Sequence, residues 1–196
     1  MWFTSAGSAK AVADDDDELK LETRVGLPDA LRVLLEELPR AGWEAHPGFH
    51  GLARFWMQRH MLFRQIMDAL TEEAELRLDA QVSADRLGAR VNRLGGMLMS
   101  TLHEHHSIED TVYFPKMQVM EPRLLRGFTM LDKDHHALDE WLNRFADASA
   151  GVVNTPSRDT TWVFHSELER LGPLLERHLR DEEDLVVPVI LRTGLQ

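Results

Sequence analysis

The stretch HEHHSIEDTVYFP, residues 103–115, holds three histidines and three carboxylates in thirteen positions. Which of them share a face decides what the fold is built around. On a helix, residues four apart are neighbours, so His105 can pair with Glu109, or His106 with Asp110. A second copy near the C-terminus selects between these frames. In HLRDEEDLVVP (178–188), His178, Glu182 and Pro188 repeat the offsets of His105, Glu109 and Pro115, whereas the position matching His106 is Leu179. The repeat therefore picks His105 with Glu109.

Two further histidines follow the same logic. His60 is followed by Phe63, Ile66, Met67 and Leu70, and His135 by Leu138, Trp141, Leu142 and Phe145. Apolar residues at these offsets form one helical stripe that includes the histidine. His136 would instead place Asp139 and Asn143 on its stripe. His60 precedes His105 by 45 residues and His135 precedes His178 by 43. The chain reads as a duplicated helical hairpin, each half carrying one lone histidine and one His-x-x-x-Glu pair.

Outward from these segments the pattern is helical over roughly 49–78, 83–113, 120–148 and 158–192, with breaks at LDAQVSAD, FPKMQVMEP and SAGVVNTPSRD. Ser83, Glu121-Pro122 and Thr155-Pro156-Ser157 supply the starts and stops. No alternating strand pattern of useful length appears. Long helices joined by short loops predict an all-α, up-down-up-down antiparallel four-helix bundle over 47–196. Ahead of it, LPDALRVLLEELP (27–39) predicts a short amphipathic helix within 25–46. Residues 1–24, with the acidic run Asp14 to Asp17, read as a mobile, disordered tail.

Composition excludes several classes of function. Thirty-three acids against 22 bases give a net charge of −11, which repels nucleic acid and anionic membrane alike. The absence of cysteine removes disulfides, thiolate metal sites and thiol catalysis. The start lacks a basic, apolar leader and no apolar run could span a bilayer, so a cytoplasmic location is expected. HEHHS is not a zinc-protease motif, because Ser107 stands where the second histidine would be needed.

His60, His105, Glu109, His135, His178 and Glu182 are thus expected to converge inside the bundle. Six such ligands suit two metal ions, and mixed imidazole and carboxylate donors suit iron, manganese or zinc. His46 and His50 are separated by Pro47-Gly48 and read as loop residues. His103, His106, His136 and His165 are expected at helix flanks or on the surface. Trp56, Trp141, Trp162 and GGMLMS (95–100) read as core filler.

These segments, QRHMLFRQI, HHSIEDTVYFP, DKDHHALDEWL and HLRDEEDLVVP, resemble the hemerythrin-like, or HHE cation-binding, family over about residues 47–192. The resemblance implies a non-heme di-iron centre with Glu109 and Glu182 bridging and the four histidines as terminal ligands. It implies binding or sensing of a small diatomic ligand or oxidant (oxygen, nitric oxide, peroxide) or of iron itself, or a part in iron handling and stress repair. Oxygen carriers of the family have a further histidine where this chain has Asp139, which speaks against reversible oxygen carriage. Asp139, Glu183 and His136 are the candidates for a fifth terminal ligand, if there is one. Two other classes of function compete with this one: a metal-dependent enzyme, peroxidase-like or a hydrolase, in which Tyr113, the only tyrosine, could act; and a metal-free helical interaction module.

Overall fold

The computed structural model describes residues 19–196. Among them there is no strand. Short helix α1 (Val33–Glu37) is followed by α2 (Gly51–Leu78) and α3 (Ala84–Ile108). A π-helical turn (Glu109–Tyr113) leads directly into α4 (Phe114–Met120), and α5 (Leu125–Asn154) and α6 (Arg158–Thr193) complete the chain. Local chemistry fixes the ends. The Ser83 hydroxyl accepts from the Arg86 amide at 3.2 Å at the start of α3. Ser157 and Thr160 form a reciprocal capping box on α6, which ends at Gly194 with a left-handed φ of 68°.

The expected break at FPKMQVMEP falls at the end of that stretch, at Glu121 and the 3₁₀ turn Pro122–Leu124, so the helix before it runs on past 113. Pro115 lacks the N–H that would bond the carbonyl four residues back, and its ring crowds that carbonyl. The widened turn before it absorbs the conflict: the Phe114 N–H bonds the Glu109 carbonyl instead. Helix α5 also continues past the expected end at 148 to Asn154, carrying Val152 into the core.

The N-terminal helix is shorter than expected, bracketed by Pro28 and Pro39 and flanked by 3₁₀ turns Asp29–Leu31 and Arg40–Gly42. Its segment lies against the bundle, with Leu27, Leu31, Leu34 and Trp43 buried beside Ile190 and Leu191 of α6. The expected tail overlaps this packed region. Leu21 is in the core and Arg24 is buried, while the run Asp14 to Asp17 lies outside the described residues. Trp162, expected inside, is exposed; Trp56 is buried and Trp141 partly so.

Among the long helices, α2 packs against α3 and α6, and α5 packs against α3 and α6, as in a helical bundle. The interior holds two apolar clusters, one around Phe63, Leu98, Leu138 and Phe145, the other around Trp56, Phe114, Phe128 and Leu185. On α2 and α5 the histidines of interest sit between residues of these two clusters, and His105 and His106 sit between the first cluster on α3 and Phe114 and Met117 of the second on α4. No described helix is long and apolar enough to cross a membrane.

Two glycines test this packing. A Cβ on Gly127 would lie 2.9 Å from both Leu185 methyls, whereas one on Gly96 meets nothing within 4 Å. Gly127→Ala should lower stability by about 1–3 kcal/mol through overpacking. Gly96→Ala should raise it by about 0.5–1 kcal/mol, both read from denaturant midpoints.

Candidate metal centre

All six residues expected at the centre are buried and meet there. They form two groups: His60, His105, Glu109 and Glu182 in one, His135 and His178 in the other, joined by His106. Within each group the potential ligand atoms lie within 4.8 Å of one another. His106 is the correction. Expected at a flank or on the surface, it is buried, and its ring stacks on that of His135 with centroids 3.9 Å apart.

The two carboxylates stand between the groups. One oxygen of Glu109 is 2.8 Å from His105 Nε2 and the other 3.5 Å from His135 Nε2. Glu182 does the same, with one oxygen 3.2 Å from His60 Nε2 and the other 3.3 Å from His178 Nε2. The Trp56 indole N–H donates to Glu182 Oε1.

Outside this ring, three imidazoles are held from behind. His60 Nδ1 is 3.0 Å from Glu183, His135 Nδ1 2.8 Å from Asp110, and His178 Nδ1 3.4 Å from Asp134. An ionised carboxylate only accepts, so Nδ1 carries the proton in these pairs and a neutral ring turns its Nε2 lone pair inward. Glu183 is ionised. Burial opposes this, but His60 and Arg64 bring its pKa down to about 2. Asp134 is also held below its usual range, against burial, by Arg24 and His178.

The inward atoms fit a cation. His106, His135 and His178 Nε2, both Glu109 oxygens and Glu182 Oε2 are buried without a hydrogen-bond partner, six of the nine such atoms among the described residues. Orphaned polar atoms are costly in an interior, and here all six are groups that bind metals. Their protonation shows the same strain. Burial pushes His105 down to about 3 and His106 well below its usual value. Burial and then the charge of Glu182 drive Glu109 well above the carboxylate range. Glu182 is held well below it, against burial, by His60 and His178. For His178 burial is outweighed by the neighbouring carboxylates of Asp134 and Glu182, and its pKa rises to about 9.

The remaining candidates lie elsewhere. Asp139 and His136 are exposed, and the His136 ring bonds the Asp132 carbonyl. Glu183 is occupied by His60, Arg40 and Arg64. His103 is exposed, and His165 lies away from the centre beside Glu75 and Glu169. His46 is a loop residue whose Nδ1 accepts from the Gly48 amide. A cleft of about 690 Å³ between α3 and α5, bordered by His103, Ser107, Asp139 and Asn143, reaches inward to His106 and His135.

If His106 is a ligand, His106→Ala should lower the metal retained after gel filtration, while His136→Ala on the neighbouring surface should leave it unchanged. Elemental analysis of the two purified variants checks this.

Comparison with known proteins agrees with the geometry. No curated protein and no solved structure gives a significant match. The family model "Hemerythrin HHE cation binding domain" matches residues 51–190, which span α2 to α6 and every residue of both groups. With most of its length matched and a buried cluster able to hold a cation, the chain belongs to the hemerythrin HHE cation-binding family, whose domains bind metal ions, typically iron.

Proposed function

We propose that this chain is an up-down-up-down bundle that holds a non-heme di-iron centre and uses it to bind or sense a small ligand. In this reading His60 and His105 serve one iron, His106, His135 and His178 serve the other, and Glu109 and Glu182 bridge them. The observation that carries it is the placement of the carboxylate oxygens, one towards each histidine group from both Glu109 and Glu182. A single cation would leave half of these oxygens unused. Imidazole and carboxylate donors with no thiolate suit iron, with manganese or zinc as substitutes.

Iron bound there would offer exchangeable coordination positions to a diatomic ligand or an oxidant. The chain's own residues set how such a ligand arrives and what it meets. The cleft beside His106 and His135 is the route, and its border of Ser107, Asp110 and Asn143 admits a small polar molecule. His106 fills the role of a fifth imidazole from α3, where oxygen carriers draw theirs from the position of Asp139. A cytoplasmic setting suits a cysteine-free acidic chain.

One observation favours an enzyme as the second reading. Tyr113 is half-buried with its ring 5.3 Å from that of Trp56, which in turn bonds Glu182. A Tyr113→Phe variant that keeps its iron but loses peroxide turnover would support that reading over simple ligand binding.

Iron-replete protein should carry roughly two irons per chain, as di-iron bundles do, and His105→Ala combined with His178→Ala should abolish them. Metal analysis that finds no iron in the wild type overturns the proposal. Iron must also displace a proton from His178, whose pKa is raised to about 9. Affinity should therefore climb with pH towards about 9 and fall on the acid side, with proton release on binding. Chelator competition across this range reads it out.

A further inference from the structure

The segment ahead of α2 sends two arginines towards the centre from outside the family match, which begins at residue 51. Arg24 is the deeper of the two, its side chain 1% exposed. Its Nε donates to Asp181 at 2.7 Å and its Nη1 to Asp134 Oδ1 at 2.8 Å, while its Nη2 donates to Asp134 Oδ2. Asp134 Oδ2 is also the atom facing His178 Nδ1. Arg40 makes the parallel contact on the other side. It donates to Glu183 Oε2 at 2.8 Å and to Asp184 at 2.6 Å, and Glu183 Oε1 holds His60 Nδ1.

Each relay therefore runs arginine, carboxylate, imidazole, with the imidazole Nε2 turned to the centre. A carboxylate behind a metal-bound histidine fixes its ring and raises its basicity, and here the carboxylate is itself fixed by a guanidinium fork matched to its shape. Glu183 has a second clamp in Arg64 of α2. On Asp134 the Arg24 fork engages both carboxylate oxygens. The anchoring of both arginines is apolar: Leu21, Leu27, Leu31, Leu34 and Trp43 bury the segment that carries them.

We propose that Arg24 and Arg40 are positioning residues of the metal centre, so that seating of this N-terminal segment and metal loading strengthen each other. The proposal rests on the reading of the centre as metal-binding. Coupling between two equilibria is reciprocal: metal should tighten the segment by the same factor by which the seated segment tightens metal. Elsewhere the chain supplies an internal control. Arg86 also clamps a buried carboxylate, Glu73, through two contacts, but at the Leu78 end of α2, away from the histidines.

Titration of the full chain with cobalt(II) against a chelator, followed by visible absorption, tests it. Arg24→Gln should weaken cobalt affinity measurably, by less than the about 10–100-fold that losing the carboxylate directly behind a metal ligand costs. Arg24→Lys, which keeps the charge without the fork, should fall between it and wild type. Arg86→Gln should leave affinity unchanged while lowering the melting temperature. Hydrogen exchange of residues 21–43 in the wild type, which needs no variant to fold, should slow on cobalt addition. Equal affinity for Arg24→Gln and wild type, or equal losses for Arg24→Gln and Arg86→Gln, overturns the coupling and leaves the metal reading standing. Wild-type chain that takes up no cobalt overturns both.

Discussion

Everything at the middle of this bundle follows from the difficulty of burying two carboxylates within reach of each other. Two negative charges in a medium that solvates them poorly cannot both persist unless something positive stands between them. In the protein alone the load is divided unequally: Glu182 keeps its charge by leaning on His60 and His178, and Glu109 is driven towards its neutral form. Four of the imidazoles are split in the same way, with His60 and His178 pulled up and His105 and His106 pushed down. A pair of cations, as proposed for this centre, would remove the conflict in one step, because both carboxylates could then be charged and all five rings neutral. The sequence sets this electrostatic problem by placing acids on inward faces, and the same placement gathers imidazoles around them.

The duplication gives this solution its form. Asp110 and Glu183 occupy equivalent positions, each one residue beyond a central glutamate, Glu109 or Glu182. Asp110, in the first half, backs His135 of the second; Glu183, in the second half, backs His60 of the first. The halves exchange support across the interface, so neither could orient its lone histidine alone. The symmetry fails one residue before those histidines. There Asp134 backs His178, while its counterpart Arg59 turns outward to Glu104. It fails also at His106, whose counterpart Leu179 is plain core.

How much of this was legible in the sequence depends on what kind of pattern carried it. The convergence of the six residues and the helical fold were readable because both rest on spacing along a helix, which survives folding unchanged. His106 was misread from a correct observation. Leu179 in the matching position argued against His106 belonging to the centre, yet a leucine between polar neighbours marks a position that faces inward, and inward is where His106 is buried. The π turn was hidden because the same His-x-x-x-Glu-x5-Pro string gives a bulged helix around Pro115 and a continuous one around Pro188. Tertiary packing decides between them. Arg24 was invisible for a similar reason: its partners Asp134 and Asp181 are 110 and 157 residues away, and nothing local distinguishes it from a surface arginine.

The split of the interior into two apolar clusters has its own consequence. Leu98 and Phe145 on one side and Phe128 and Leu185 on the other are separated by a layer of buried histidines and carboxylates. Side-chain volumes on one side can be exchanged without being compensated on the other. Such a layout lets the two ends of the molecule drift independently over evolution, one adapting to what it touches while the other stays put, provided the layer between them is left alone.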